Sequence, residues 1–176
     1  VPPALLVEST GSVLLAGPEA HTAAQAANDL AALVTAIDMA ATLGATVEHC
    51  IQHLTTRVQF GVALSTFQVL RHKVVDLYVQ YESASVLLAR LVHDAVASGR
   101  PAAHVNARDA ALCKLYLNDL ARRGAECSIQ LHGGMGMTAE LPAARLARRL
   151  LCAEFEHGDR LEQLARLQHL PAAAIG

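Results

Sequence analysis

From residue 21 onward, Ala26, Leu30, Leu33, Ile37, Ala40, Gly44, Val47, Ile51 and Leu54 recur at alternating spacings of three and four. That period places them along one side of a helix, a continuous apolar stripe that has to be buried against something else. A second stripe runs through Phe67, Leu70, Val74, Leu77, Tyr81, Ala84, Leu88, Leu91 and Ala95, and stops near Gly99 and Pro101, where glycine can cap a helix and proline resets the chain. The two helices are expected to pair antiparallel. A third helix is predicted over residues 102–131, with Cys113, Leu117, Leu120, Gly124 and Cys127 on one face. Gly44 and Gly124 stand inside these stripes at a local cost of about 1 kcal/mol, which is expected where helices approach closely.

Residues 132–138 are rich in glycine and predict a loop. A shorter helix is expected over 139–155. Gly158 then reads as a stop, and Asp159 as the N-cap of a last helix with Glu162 as its capping-box partner. Helices dominate and tandem strands are missing, so the expected fold is all-α: an antiparallel four-helix bundle with a short helical tail. The domain is expected over 21–170. Before it, two short apolar runs at 4–7 and 13–16 make residues 1–20 a hairpin remnant or an ordered tail, and 171–176 form a C-terminal tail.

At 176 residues and 53% hydrophobic content, one domain with a sizeable core is expected. The net charge is -2 with the basic residues scattered, which gives no footprint for nucleic acid or an anionic membrane. No apolar run reaches the roughly 20 residues of a membrane span, and the start lacks the regions of a signal peptide. A cytoplasmic location is expected. Cys50, Cys113, Cys127 and Cys152 are widely separated with no Cys-x-x-Cys pair and read as reduced core thiols. The chain begins at Val1 rather than a methionine, which is consistent with a piece of something longer.

Two segments carry chemistry: Arg57-Val58-Gln59-Phe60-Gly61 at the end of the first helix, and Gln130-Leu131-His132-Gly133-Gly134-Met135-Gly136-Met137-Thr138 after the third. Glycines in a short loop let backbone N–H groups reach a phosphate, although such a turn also serves as a plain connector. Arg57 suits a diphosphate, and equally suits a helix C-terminus, where a cation complements the macrodipole. His132 in the glycine loop could stack on or hydrogen-bond to a cofactor, or simply pack the loop. His49 and His53 lie one turn apart, a spacing able to bind a metal, but the HExxH glutamate is missing and they read as surface histidines; no metal site is expected. Tyr78, Tyr81 and Tyr116 follow apolar faces and read as core residues with a hydroxyl reaching the edge.

Taken in order, Arg57-x-Gln59-Phe60-Gly61, Phe67-Gln68, His72 and Gln130-x-His132-Gly133-Gly134-x-Gly136 resemble the C-terminal domain of acyl-CoA dehydrogenases, over residues 20–167. The resemblance implies a four-helix bundle that helps build an FAD site across a subunit interface. It assigns Arg57 to the FAD pyrophosphate of a neighbouring subunit, Gln59 and Phe60 to the same stretch of cofactor, and Phe67 with Leu64 to the adenine end. Gln130, Gly133 and Gly134 would meet the adenosine and pyrophosphate. The sequence is most similar to the branch found as the smaller partner in paired dehydrogenases.

The family's reaction needs a carboxylate to take the proton alpha to the thioester while hydride leaves for the flavin. In much of the family this base is a glutamate before a glycine, and the matching position here is His157, followed by Gly158. The alternative family position falls near Ala31, with Asp29 and Asp38 off the matching turn. Glu156 is the substitute candidate, and His157 could itself act as a base or help end a helix. The family's N-terminal helical and middle β domains are not within these residues. Two functions therefore compete. One is the FAD-contacting and oligomerisation domain of a flavoenzyme that dehydrogenates an acyl-CoA in the complete assembly. The other is a non-catalytic partner that completes another subunit's FAD site. A homodimer or homotetramer, or a hetero-oligomer with a second dehydrogenase subunit, is implied, and the isolated chain is expected to be inactive.

Overall fold

Five helices and one small hairpin make up the computed structural model, which describes residues 17–97, 106–138 and 140–170. The readings made for 1–16, 98–105 and 171–176 lie outside the described residues. Helix α1 (Gly17–Thr56) is followed by strands β1 (Val58–Gln59) and β2 (Val62–Ala63), then α2 (Gln68–Ala97), α3 (Ala107–His132), α4 (Pro142–Phe155) and α5 (Arg160–His169). Four helices form the bundle and α5 is the short tail, as expected. Gly44 of α1 lies against Tyr81 of α2, while Ile51 and Leu54 share a groove with Val74, Val75 and Tyr78. Residues later in α1 thus meet residues earlier in α2, and the pair is antiparallel.

α1 packs on α2, α3 and α4 together. Its buried face is therefore broader than the expected stripe and rotated from it. Leu33, Ala40, Val47 and Leu54 are buried as expected, but Ala36, Met39, Leu43 and Cys50 join them, while Ile37 and Ile51 are 40% and 45% exposed. An 18-residue window of α1 reaches a mean hydropathy of 1.7, so by length and composition this helix could cross a membrane, contrary to the sequence reading. Half of that window is buried in the bundle, which fits the central helix of a core.

Both stripe glycines mark helix crossings. A Cβ on Gly44 would stand 2.8 Å from Cε2 of Tyr81, and one on Gly124 would run into Cδ1 of Leu43. The main core gathers Met39, Leu43, Leu77, Leu117 and Leu150 around these crossings. Each such side chain, once buried, contributes about 1.5–3 kcal/mol. A second, smaller cluster of Cys50, Leu54, Leu64, Val74 and Leu131 closes the end of the bundle where α1 and α3 finish.

The element ends follow from local chemistry. Asn106 caps α3, its side chain accepting from the Arg108 amide at 2.9 Å. α4 starts at Pro142, later than the 139 read from sequence, with the proline in the first turn where a missing N–H costs nothing. Asp159 caps α5 by accepting from the Glu162 amide at 2.9 Å, as its sequence position predicts.

Four readings change. Residues 57–61 do not merely end a helix: β1 and β2 pair antiparallel, Val58 opposite Ala63 and Gln59 opposite Val62, around a two-residue turn of Phe60 and Gly61. Residues 133–137 are a 3₁₀ turn rather than an irregular loop, and His132 is the last residue of α3. The thiols are free, but Cys152 is exposed, and Tyr78 is 47% exposed rather than a core residue.

Candidate functional site

Where α1 and α3 end and α2 begins, the chain encloses an open cavity of about 630 Å³. Arg57, Gln59, Phe60, Leu64, Phe67, Gln130, Gly133 and Gly134, the eight residues singled out from sequence, all line it. They come from four separate elements, brought together by the antiparallel return of α2 and the parallel endings of α1 and α3.

The hairpin delivers the first group. A two-residue hairpin of type I′ needs positive φ at both turn positions, which glycine accepts freely and phenylalanine adopts only at a cost. Gly61 sits at φ 80 and Phe60 at φ 55, so Phe60 holds a conformation that costs a bulky side chain on the order of 1–3 kcal/mol. Its ring gains little from burial, being 88% exposed, and meets Phe67 edge-on with centroids 6.1 Å apart. A strained, solvent-facing aromatic ring at a cavity mouth points to a ligand rather than to folding.

Arg57 follows α1 and its amide donates to the carbonyl of His53 at 2.9 Å. Its guanidinium is exposed, and among the described residues no carboxylate pairs with it. On the opposite wall, Gly133 ends α3 at φ 62, and its amide donates to the carbonyl of Gln130. A Cβ at Gly133 or Gly134 would meet nothing within 4 Å, so the space above these glycines is open to a ligand. Gly136 differs, since a Cβ there would stand 2.8 Å from the carbonyl of Ile129, and it serves packing.

Sequence reasoning missed His53, Val69, Leu70, Leu131 and Met135 as lining residues. His53 read as a surface histidine, but it is half-buried and its ring lies 4.3 Å from that of His132, inclined by 33°. Burial, followed by the neighbouring His132 and Arg57, holds the His53 imidazole below its usual pKa. His132 donates Nδ1–H to the carbonyl of Ser128 at 2.8 Å. The signal for His53 lay in its spacing of four from Arg57, which puts both on one side of α1. Among the described residues no group of histidine, cysteine or carboxylate side chains could hold a metal.

The turn between α4 and α5 is a separate place. α4 runs back from the glycine turn, and Asn118 of α3 donates to the carbonyl of Gly158 at 3.3 Å. Gln130 lies twelve residues further along α3, about 18 Å at 1.5 Å per residue, so the turn and the cavity are well separated along the bundle. His157 is exposed and sits at φ 54, with Gly158 at φ 104 behind it. Glu156 is held by Arg149 in a two-pronged pair at 2.6 and 3.1 Å, and Arg149 also reaches Asp38 of α1. That pairing keeps the Glu156 carboxyl below its usual pKa. Ala31 is half-buried on α1, and neighbouring Asp29 is buried in an ion pair with Arg166.

A buried polar trio fixes this turn and had not been read from sequence. Lys114 Nζ has four acceptors for its three N–H groups, Asn118 Oδ1 at 2.5 Å and the carbonyls of Ala153, Glu154 and Gly158 at 3.0, 3.2 and 3.3 Å, so one proton is shared between two of them. Gln163 Nε2 donates to the carbonyl of His157 at 2.9 Å. The ammonium thus adds a donor to the last carbonyls of α4, of which Ala153 also accepts from the Glu156 amide at 3.2 Å. Lys114 and Asn118 stand one turn apart on the same side of α3 as Cys113 and Leu117, and a polar pair on an apolar face was the available signal.

An all-helical bundle with a nucleotide-sized cavity at one end, walled by an arginine hairpin and a glycine turn, is the class these elements define. Residues 21–167 match the family model for the acyl-CoA dehydrogenase C-terminal domain, and the chain belongs to that family. It is 29% identical over 140 residues to acyl-CoA dehydrogenase IpdE2 of Mycolicibacterium smegmatis, covering 80% of this chain and 42% of that protein. With the short-chain specific acyl-CoA dehydrogenase of Megasphaera elsdenii it shares 30% identity over 120 residues, or 68% of this chain and 30% of the relative. The solved butyryl-CoA dehydrogenase of Megasphaera elsdenii superposes with a TM-score of 0.74 at 27% identity, over 83% of this chain and 37% of that one. The chain therefore spans less than half the length of these relatives.

Proposed function

We propose that this chain supplies the wall that holds the adenosine diphosphate portion of FAD in an acyl-CoA dehydrogenase assembly. The observation that carries the reading is the convergence of all eight predicted residues on one cavity. The donor set fits the group: a guanidinium that no carboxylate among the described residues pairs, open space above Gly133 and Gly134 opposite it, and Phe60 and Phe67 as apolar edges for a planar base. When bound, FAD would supply the hydride acceptor for acyl dehydrogenation. This chain's own task there is to bind and orient the nucleotide end.

A second reading, that the chain completes another subunit's FAD site and takes no proton itself, is supported by the turn after α4. The position that matches the family's glutamate is His157. Glu156 beside it is engaged by Arg149 and tuned to stay ionised, which makes it a poor acceptor for a weakly acidic carbon proton. The base would then come from a partner chain, in keeping with the smaller-subunit branch. Arg57→Ala should weaken FAD retention by about 1.5–3 kcal/mol, the worth of a charged hydrogen bond, with little change in melting temperature. Titration followed by flavin fluorescence tests this. Unchanged affinity with a lowered melting temperature would leave Arg57 as a helix-end cation and remove the reading.

A further inference from the structure

We propose that His53 and His132 act as a proton-accepting pair on the anionic part of the ligand, so that the chain takes up one proton as a diphosphate enters the cavity. The inference rests on the reading that this cavity receives a nucleotide diphosphate, and adds a contact and a pH dependence to it.

The geometry comes first. The carbonyl of Ser128 fixes the proton of His132 on Nδ1, so the neutral ring has only the lone pair of Nε2 left to offer. A lone pair repels a phosphate oxygen. Protonation turns the same nitrogen into a donor, on a residue that lines the cavity together with Arg57. The His53 ring, its centroid 4.3 Å away and inclined by 33°, is then a surface against which one imidazolium can rest, whereas two adjacent imidazolium ions would repel each other. The pair is built to carry one proton and not two.

The surroundings disfavour a charge on His53 until an anion arrives. Of the described residues lining the cavity, the titratable side chains are His53, Arg57 and His132, with no carboxylate among them. Beneath them the Cys50 thiol is pushed up to about 11 by burial and stays neutral. His49 stands one turn back on α1, half-buried. At the start of α2, His72 faces Gln68 at 3.5 Å and Arg71 turns to the groove on the other side of the helix. Burial, followed by His132 and the Arg57 cation, lowers His53, and a dianion placed beside the pair opposes that field.

The test is FAD binding to the full chain between pH 8 and 6 at constant ionic strength, with adenosine as an uncharged probe. FAD keeps its diphosphate doubly ionised over this range, and arginine does not titrate. FAD affinity should rise about three- to tenfold as the pH falls, with proton uptake visible as a dependence of the binding heat on buffer ionisation enthalpy; a one-unit rise in pKa on binding corresponds to tenfold. Adenosine affinity should stay flat. In the His53→Gln, His132→Gln double variant the FAD dependence should vanish, and in the wild type the two imidazole resonances should titrate higher with FAD than without. FAD binding that is independent of pH, or that keeps its pH dependence in the double variant, overturns the pair while leaving the diphosphate reading intact. Absence of FAD binding at every pH overturns both.

Discussion

Lys114 is fully buried, and burial depresses its ammonium from the usual 10.5 to about 8, against the pull of Glu154, Glu156, Asp159 and Glu162. Between these two values the unfolded chain binds a proton that the folded chain has shed, so unfolding free energy rises with pH across that window. The cost of burying the charge is fully present below pH 8 and is relieved as pH climbs toward 10.5. At 1.36 kcal/mol per unit this amounts to something on the order of 3 kcal/mol. Cys50 and Cys113 act the other way, since burial pushes them up to about 11 and about 12 and their stabilisation fades above the ordinary thiol range. The comparison with Lys114→Met isolates the lysine, because the thiols are common to both proteins. Denaturant unfolding at pH 8 and 10 should show the wild type gaining stability relative to the variant as pH rises. At pH 7, Lys114→Met should be less stable by about 1–3 kcal/mol, as the carbonyls of Ala153, Glu154 and Gly158 lose their donor. A variant as stable as the wild type at pH 7 would mean that water replaces the ammonium.

At the scale of elements, Gly44 sets two effects against each other. Alanine in a helix interior is favoured over glycine by about 1 kcal/mol. A methyl at Gly44, however, would press on the Tyr81 ring at 2.8 and 3.0 Å, and overpacking of that kind costs about 1–3 kcal/mol. Gly44→Ala should therefore lower stability, and Gly44→Ala combined with Tyr81→Leu should recover part of the loss, a coupling that a double-mutant cycle reads directly. If Gly44→Ala alone raises stability, the α1–α2 crossing is looser than its geometry. This crossing was legible in the sequence because a glycine inside an apolar stripe gives up helix propensity and side-chain burial together, a loss that a close helix approach offsets. The helices themselves were legible from the stripes, and the Asp159 cap from its spacing to Glu162. The hairpin at 58–63 was not, since Phe60 occupies a turn position whose φ favours glycine or asparagine. The true buried face of α1 was hidden too, because a helix with three neighbours buries an arc wider than any single stripe. The eight cavity residues were legible through the order of their motifs. His53 and Lys114 were not, since their roles depend on rings and carbonyls from distant elements.

The molecule as a whole presents more apolar surface than its own bundle uses. Val34, Ile37 and Ile51 on α1 and Val75, Tyr78 and Val79 on α2 are exposed. Ile51 and Val75 lie with Leu54, Val74 and Tyr78 along a groove of about 440 Å³ between the two helices. Single exposed apolar residues are ordinary on any protein surface, but a run of them along two adjacent helices has the character of an interface. Covering each large aliphatic side chain fully is worth about 1.5–3 kcal/mol, so a few of them approach the roughly 8 kcal/mol of a micromolar complex before association costs are counted. The cavity proposed to take FAD is open at the end of the bundle and requires further walls, which a second chain can supply. We therefore expect the protein to self-associate at micromolar concentration through the α1–α2 face. The Ile51→Asp, Val75→Asp double variant should dissociate it while leaving helicity intact, because both side chains point away from the core. Light scattering across a dilution series, with circular dichroism on the same samples, measures both quantities. A wild type that is monomeric at every concentration would sink this interface, and a variant that stays associated with unchanged mass would move it to another face of the bundle.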